Sequence, residues 1–283
     1  MMSVVLITGT STGLGISLVL QLAEQGHKVY ATMRNLAKQQ ALVAAIAEKG
    51  VSAEIMVLDV QNQESVEACV DQIIQQEGRI DVLINNAGAG FVKTTEHTTD
   101  DEIHKILDIN FTGVVRCTRA VLPHMRQQRS GRIVNVSSVG GLVGQPFNEI
   151  YCAAKFALEG YTESLASYIE PNFNIRFTVV EPGGIRTEFA NNVLAQFQQA
   201  GGMIDDEYKP ILEKYIGSAG NNRSDDLYQT ADEVAAVIVG SINDLTPPFR
   251  LRTSNWSNDF CELKTAADPT GDKQIERVRR AFL

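Results

Sequence analysis

The fold is decided near the N-terminus by the stretch Val4-Val5-Leu6-Ile7-Thr8-Gly9-Thr10-Ser11-Thr12-Gly13-Leu14-Gly15. Its apolar start predicts a buried strand, and leucines at 14, 18 and 22 predict an amphipathic helix directly after the glycines. Glycines at 9, 13 and 15 let the backbone turn tightly and approach a pyrophosphate, which the helix N-terminus attracts. A glycine triad also ends ordinary strands, but its place between a strand and a helix favours a nucleotide site.

Short β-branched stretches alternate with amphipathic helical stretches through the first two-thirds of the chain. The predicted strands are 4–8, 27–33, 54–58, 82–84, 133–136 and 176–180. The predicted helices are 13–25, 36–49, 64–77, 99–129, 149–170 and 230–242. Nearly continuous apolar strands separated by helices predict a parallel sheet covered on both faces. With right-handed crossovers this is a doubly wound, Rossmann-type α/β fold, expected as a single domain over 1–283.

The alternation breaks between about residues 186 and 228. This insertion is rich in glycine and asparagine and has one weak helical segment around 208–215. An insertion this long with so few signals is usually functional or mobile. Its apolar residues Val193, Leu194, Phe197 and Met203 suit either a lid over a substrate or the core of a helical insertion. A tail of helix and coil is expected over 256–283.

Composition describes an ordinary globular protein. The hydrophobic fraction is 44%, the charged fraction 21%, and the net charge of −9 disfavours nucleic acid and anionic membranes as partners. No stretch approaches the roughly 20 apolar residues of a membrane-spanning helix. The four cysteines are scattered, so free thiols and a cytoplasmic location are expected. No metal site is indicated, because His27, His97, His104 and His124 lack ligand spacing.

The end of the second predicted strand bears on which nucleotide binds. It reads Tyr30-Ala31-Thr32-Met33-Arg34-Asn35, with an arginine and no acid. An acidic residue would bind the ribose hydroxyls of NAD and repel a 2′-phosphate. The planar guanidinium of Arg34 can instead bind that phosphate with two N–H groups, although a solvated arginine at a strand end is the alternative. The pattern favours NADP(H).

Three further motifs follow predicted strands or lie on a predicted helix. They are Asn85-Asn86-Ala87-Gly88, Tyr151-Cys152-Ala153-Ala154-Lys155 and Pro182-Gly183-Gly184-Ile185-Arg186-Thr187. Together with the glycine turn they resemble the short-chain dehydrogenase/reductase family in order and spacing, from about residue 4 to residue 242. Residues 138–148 and 151–160 are similar to the branch containing estradiol 17-beta-dehydrogenase and photoreceptor-type retinol dehydrogenase.

This resemblance implies an oxidoreductase that moves a hydride between NADP(H) and an alcohol/carbonyl pair, with Asn110, Ser138, Tyr151 and Lys155 as catalytic residues. Tyr151 and Lys155 are four apart on a predicted helix and share a face. The ammonium and the positive nicotinamide should lower the pKa of the phenol from its usual value of about 10. Ser138 would polarise the substrate oxygen, with Ser137 as the alternative at a register one residue earlier. The Asn110 carbonyl would hold a relay water.

The resemblance also implies the residues that contact the nucleotide. Asp59 would contact the adenine, although it is equally a candidate helix N-cap. Thr187 would reach the nicotinamide carboxamide. The complete expected set is Gly9, Ser11, Thr12, Gly13, Leu14, Gly15, Arg34, Asp59, Val60, Asn86, Ala87, Gly88, Tyr151, Lys155, Pro182, Gly183, Ile185 and Thr187.

The branch that the chain resembles acts on lipophilic alcohols and ketones. Leu142, Val143 and Phe147 would form an apolar wall beside Ser138 and Tyr151. No histidine follows position 124, so the lid histidine of the estrogen-converting enzyme is absent. This absence disfavours a steroid and leaves a bulky apolar ketone or aldehyde as the expected substrate.

Two further expectations concern assembly and activity. Members of the family form dimers or tetramers through two long helices, here 99–129 and 149–170, so a homodimer or homotetramer is expected. The alternative function is a non-catalytic NADP(H)-binding redox sensor. Retention of all four catalytic residues argues against it.

Overall fold

A seven-stranded parallel sheet forms the centre of the computed structural model, which describes residues 2–199, 201–221 and 228–282. The strands are β1 (Val4–Thr8), β2 (Lys28–Met33), β3 (Glu54–Val57), β4 (Val82–Asn85), β5 (Gly131–Val136), β6 (Ile175–Glu181), β7 (Gly184–Arg186), β8 (Tyr228–Thr230) and β9 (Arg250–Arg252). The large sheet has the order β3-β2-β1-β4-β5-β6-β9, and β7 pairs with β8 separately. Order reverses beside β1, so the cleft between the loops after β1 and β4 is the switch point where ligands bind in such sheets.

Helices cover both faces of this sheet. They are α1 (Gly13–Glu24), α2 (Gln40–Lys49), α3 (Gln63–Glu77), α4 (Asp100–Leu107), α5 (Gly113–Gln128), α6 (Glu149–Phe173), α7 (Glu188–Gln199), α8 (Lys209–Asn221), α9 (Ala231–Asn243), α10 (Asn255–Thr265) and α11 (Asp272–Phe282). No helix within the described ranges combines the length and the apolarity that crossing a bilayer requires.

Two apolar cores lie on opposite faces of the sheet because successive strand residues point to opposite sides. In β1, Leu6 joins a core built with α3, α5 and α6. Its neighbours Val5 and Ile7 join a second core with α1, α2 and α9. All three side chains are fully buried. Burial on both faces explains why this strand is apolar throughout and does not alternate.

The predicted doubly wound architecture is confirmed, and the predicted strands lie within one or two residues of the observed ones. Two predicted helices differ in detail. The first turn of the 36–49 helix is a separate 3-10 turn, because Asn35 caps it by accepting the N–H of Ala37. The 99–129 helix contains a π-helical turn, Asp108–Thr112, between α4 and α5.

Helix α7 and strands β7, β8 and β9 were not predicted. Helix α7 occupies the first part of the insertion, and α8 extends the weak segment that ends near Tyr215. Strand β9 reads Arg-Leu-Arg, which carries no strand signal of its own. The predicted tail forms α10 and α11, separated by a short loop.

Candidate active site

The turn after β1 leaves room for a phosphate group at the start of α1. Gly9 has a φ of +73°, and a side chain there would meet the Cα of Ala87 at 2.7 Å. A side chain at Gly13 would meet Thr187 at 2.9 Å. The N-cap residue Thr12 makes no side-chain capping bond within the described residues. An uncapped helix N-terminus lined by glycine fits the pyrophosphate of a dinucleotide.

The loop after β4 is locked to this turn by hydrogen bonds. The Asn86 side-chain amide donates to the carbonyls of Thr8 and Gly9, both at 2.9 Å. The hydroxyl of Thr8 accepts the N–H groups of Asn86 and Ala87, both at 3.0 Å. The two loops that border the predicted nucleotide groove therefore behave as one unit. Asn86 shapes the groove through its amide.

Arg34 and Asp59 lie at the ends of β2 and β3. Arg34 is exposed, and its Nη1 makes a long 3.4 Å bond to Gln61. The Asp59 carboxylate accepts the N–H of Gln61 at 3.1 Å, and the Asp59 N–H donates to Ser65 at 3.0 Å. Asn62, by contrast, caps α3 by accepting the N–H of Ser65. The N-cap alternative for Asp59 is therefore wrong, whereas its predicted adenine contact stays a prediction.

The other predicted nucleotide contacts follow the carboxyl ends of the strands along one edge of the sheet. They are Ser11, Leu14 and Gly15 after β1, Val60 after β3, Gly88 after β4, and Pro182, Gly183 and Ile185 after β6. Gly183 carries a second constraint, because a side chain there would lie 3.0 Å from the ring of Trp256 in α10. Helix α10 therefore packs against the loop after β6.

Ser138 and Tyr151 lie side by side at the end of β5: a side chain at Gly140 would be 3.3 Å from the Ser138 hydroxyl and 3.4 Å from the Tyr151 ring, and the serine hydroxyl acts to lower the pKa of Tyr151. Ser138 begins a short 3-10 turn, and its hydroxyl also accepts the N–H of Gly140 at 3.0 Å. The Ser137 hydroxyl faces Gly141, where a side chain would meet it at 2.6 Å. The structure therefore pairs Ser138 with the tyrosine, and the alternative register with Ser137 is wrong.

Lys155 lies one turn after Tyr151 on α6. Its Nζ donates to the Val136 carbonyl at 2.9 Å and lies 5.7 Å from the centroid of the tyrosine ring. Burial lowers the pKa of Lys155 to about 8, and the nearby Glu159 carboxyl acts in the opposite direction. Burial raises the pKa of Tyr151 to about 12, opposed by the hydroxyl of Ser138. Burial is therefore the larger effect in the polypeptide by itself, and the lowering of the tyrosine pKa expected beside a bound nicotinamide stays a prediction.

Asn110 lies in the π-helical turn and is fully buried. Its side-chain amide donates to the carbonyls of Ala89 and Ile106 at 2.8 and 3.0 Å, and its oxygen accepts the N–H of Ala89 at 3.1 Å. A side chain at Gly88 would lie 3.0 Å from this oxygen and 3.8 Å from Nζ of Lys155. The asparagine thus fixes the loop after β4 beside the lysine. Irregular π-helical turns of this kind are frequent at functional sites.

A family model described as short chain dehydrogenase matches residues 3–198. The chain belongs to the short-chain dehydrogenase family. It is 42% identical to retinol dehydrogenase 8 of Bos taurus over 277 residues, covering 96% of this chain and 87% of that protein. It is 36% identical to human 17-beta-hydroxysteroid dehydrogenase type 1 over 284 residues, covering 98% and 85%.

Solved structures agree on the fold. An actinorhodin polyketide ketoreductase variant with NADPH matches this dehydrogenase with a TM-score of 0.76 at 26% identity, covering 91% of this chain and 98% of that one. The protein is thus an oxidoreductase of a family that binds a nicotinamide cofactor. In the described part of the chain, no group of three or more His, Cys, Asp or Glu side chains could hold a metal ion.

Aromatic side chains from the insertion lie near Tyr151 and near the start of its helix. The Phe189 ring meets that of Tyr151 edge-on, with centroids 6.3 Å apart. Phe147 is buried at a φ of +61°, and its centroid is 5.6 Å from that of Tyr215. The amide of Asn148 donates to the Tyr215 hydroxyl at 2.8 Å. Phe189 and Tyr215 were not predicted as site residues, because α7 was not predicted and the weak helical segment around 208–215 carried no sign that it lies beside the site.

The other apolar residues predicted to line or cover the substrate site differ in how exposed they are and in what they contact. Val193 lies against Gly90, which leaves no space for a side chain there. Val143, Phe197 and Met203 are half-buried, and Leu194 is exposed. Leu142 is placed differently from the prediction: it lines a separate pocket of about 310 Å³ together with Phe156 and Thr265. That pocket lies between α6 and α10, and Leu142 forms part of its wall.

The insertion is fastened to the body of the dehydrogenase by two polar contacts, which we call the clasp. Nε2 of His97 is 3.0 Å from the Asp206 carboxylate, and the Tyr208 hydroxyl donates to Glu96 at 2.8 Å. The other ring nitrogen of His97 is 2.8 Å from the hydroxyl of Thr94. Although the insertion has no histidine of its own, the body of the protein thus provides one that contacts it.

Proposed function

We propose that this dehydrogenase transfers a hydride reversibly between NADP(H) and the alcohol/carbonyl pair of a small lipophilic substrate. The observation that carries this proposal is the pairing of Ser138 with Tyr151, with the Lys155 ammonium 5.7 Å from the tyrosine ring. These groups stand beside a glycine turn whose shape fits a dinucleotide. When bound, the nicotinamide supplies or accepts the hydride.

The protein's own groups move the proton and hold the substrate. Tyr151 would donate its proton to the carbonyl oxygen during reduction and take it back during oxidation. Ser138 would hold that oxygen with its hydroxyl. Because burial raises the pKa of Tyr151 to about 12, the phenol keeps its proton at neutral pH, which suits reduction.

Preference for NADP(H) over NAD(H) rests on charge. Arg34 is exposed at the end of β2, where an acid would repel a 2′-phosphate. A related ketoreductase was solved with NADPH. A guanidinium free to form a bidentate pair with phosphate supports the same choice.

The lipophilic substrate is supported by the aromatic surroundings of Tyr151. Phe189 contacts its ring, and Phe147 and Tyr215 pack together beside the start of its helix. Two relatives are named for retinol and for hydroxysteroids, which are lipophilic. We propose a bulky apolar ketone, aldehyde or alcohol, held under residues 186–228 as a lid. Residues 200 and 222–227 of this segment lie outside the described residues.

We further propose one NADP-binding domain over 1–283, a cytoplasmic location and a homo-oligomer. The four cysteines are buried as free thiols, which suits a reducing compartment. Helix α6 exposes Phe156 and Tyr168, apolar surface that a second copy could cover. Light scattering on the purified protein checks the assembly, and a monomer would contradict it.

Replacing Tyr151 by phenylalanine tests the function. With NADPH and a panel of apolar ketones, aldehydes and sterols, absorbance should show turnover in the wild type and a 10²–10⁴-fold lower kcat/KM, roughly the contribution of a general acid, in Tyr151→Phe. NADPH binding, measured by fluorescence, should survive. The control Tyr168→Phe, on the exposed side of the same helix, should keep full activity. Tight NADPH binding without turnover on any substrate would instead indicate a sensor.

A further inference from the structure

A cluster of buried charges lies directly behind the catalytic lysine. Glu159 follows Lys155 by one turn of α6, and Glu181 ends β6 immediately before the Pro182-Gly183 loop. Their exposed fractions are 5% and 0%. Two buried carboxyl groups at the back of an active site are costly to ionise and are rarely there without a role.

Two arginines from β9 only partly neutralise these acids. Arg252 Nη1 is 2.8 Å from Glu181, and Arg250 Nη2 is 2.7 Å from Glu163, which follows Glu159 by one turn of α6. The contacts from Arg250 Nε to Glu181 and Glu159 are longer, at 3.5 and 3.7 Å. Glu181 and Glu163 therefore have close ionic partners, and Glu159 does not.

Glu159 lacks a regular hydrogen bond as well. Neither of its oxygens has a partner of normal geometry among the described residues. The Ser137 hydroxyl lies near enough to lower its pKa slightly, and both groups face Gly141, where a side chain would meet the carboxylate at 2.9 Å. The Glu159 carboxyl group is thus held in place by packing between the 3-10 turn that follows Ser138, helix α6 and strand β9.

The ionisable groups that face Glu159 come from four elements. They are Lys155 and Glu163 on α6, Glu181 on β6, Arg250 and Arg252 on β9, and Cys261 and Lys264 on α10. Burial and then the charge of Glu181 raise the pKa of Glu159 to about 8. Burial lowers the pKa of Lys155 to about 8, and Glu159 is the group that acts against this lowering.

We propose that Glu159 is a positioning residue for the reaction: its buried carboxyl group, one helical turn behind Lys155, keeps the lysine ammonium charged in alkaline solution. This inference rests on the proposed dehydrogenase activity. Glu159 would give up its proton in the same pH range in which Lys155 would otherwise lose its own. The new negative charge keeps the proton on the lysine, which in turn stabilises the phenolate of Tyr151.

The pH profile of alcohol oxidation tests this role. Between about pH 6 and pH 10, the alkaline decline of kcat should move down by about one pH unit in Glu159→Gln, a shift typical of one nearby charge. At about pH 9 this corresponds to roughly a tenfold loss of kcat, with KM for the alcohol unchanged. Glu159→Asp, which keeps the charge, should restore most of the alkaline activity.

Glu163→Gln is the matched control. It removes the same charge from the same helix and also loses a contact with Arg250, but it lies one turn farther from Lys155. The alkaline decline of kcat in the Glu163→Gln variant should coincide with that of the wild type. An unshifted profile in Glu159→Gln, or an equal shift in both variants, overturns the proposal.

A second readout needs neither cofactor nor turnover. The folded pKa of Glu159 lies above its unfolded value of 4.5, so the unfolded chain binds fewer protons than the folded one between about pH 5 and pH 8. The free energy of unfolding should therefore fall as the pH rises through that range. The free energy of unfolding of the Glu159→Gln variant should fall less over the same pH range. A wild type whose stability is flat there contradicts a buried protonated carboxyl, even if the glutamine variant does not fold. An absence of turnover in the wild type would refute the proposed function alone.

Discussion

At the scale of single residues, Arg34 is the side chain on which the proposed preference for NADP(H) depends. It is exposed, and its one described side-chain bond is the long contact with Gln61. Arg34→Gln should raise KM for NADPH by roughly 10–100-fold, since hydrogen bonds to a charged group contribute about 1.5–3 kcal/mol. KM for NADH should change far less, because NADH has no 2′-phosphate. Initial rates with both cofactors measure the ratio.

Arg280→Gln serves as the comparison for this substitution. Arg280 lies on α11, is exposed, and pairs only with Glu276 one turn away among the described residues. It should leave both KM values unchanged. An equal loss for NADPH and NADH in Arg34→Gln would show that Arg34 supports the fold of the loop and does not select the nucleotide.

The residues of the candidate site differ in how far the sequence reveals them. The spacing of Tyr151 and Lys155 predicted that they share one helix face, whereas their catalytic roles were implied by the family resemblance of the motifs around them. The pairing of Ser138, and not Ser137, with the tyrosine required the 3-10 turn that orients both hydroxyls. Glu159 could not be predicted, because its partners come from a strand about ninety residues later.

At the scale of elements, the clasp determines where the insertion rests. It joins the 3-10 turn Thr95–His97 to the segment just before α8. Breaking both contacts with Asp206→Ala and Tyr208→Phe should raise KM for an apolar substrate several-fold, because two partly exposed contacts contribute about 1–2 kcal/mol together. The melting temperature should barely change, because the core is untouched. Steady-state kinetics and thermal unfolding give the two values.

The neighbouring Asp205 provides a control for the clasp. Its carboxylate is largely exposed and pairs with Lys209 within the same segment. Asp205→Ala should therefore leave KM at the wild-type value. If the clasp variants kept the wild-type KM, or lost stability as much as affinity, the contacts would be structural and not part of a lid.

Elements differ in predictability for a physical reason. Strands β1, β2, β4, β5 and β6 are largely buried on both faces, so apolar residues dominate their sequences and identify them. Helices α7 and α8 are harder to predict, because several of their apolar residues, among them Leu194 and Ile211, are exposed and do not join a continuous core. The π-helical turn is invisible in sequence, since it replaces a single turn within an otherwise regular helical pattern.

At the scale of the whole molecule, β9 joins the C-terminal region to the catalytic sheet. Arg252 of this strand is the close ionic partner of the fully buried Glu181. Arg252→Met should lower the free energy of unfolding by about 3–5 kcal/mol, the usual cost of leaving a buried charge without its partner. Urea unfolding at neutral pH measures this loss.

Two further variants separate pairing from packing. Arg280→Met breaks an exposed pair on α11 and should change stability by less than about 0.5 kcal/mol. The double variant Glu181→Met with Arg252→Met should recover much of the loss, because no lone charge remains buried. A loss in the double variant as large as in Arg252→Met would mean that the arginine acts through its packing.

The position of β9 along the chain also affects how the protein matures during synthesis. Residues 250–252 are the last of the sheet to leave the ribosome, yet they hold the arginines that face Glu159 and Glu181. A nascent chain that stops before them contains every predicted catalytic residue and lacks the counter-charges behind these residues. We therefore expect premature termination, or a proteolytic cut before residue 250, to yield a polypeptide that has Tyr151 and Lys155 but no working active site.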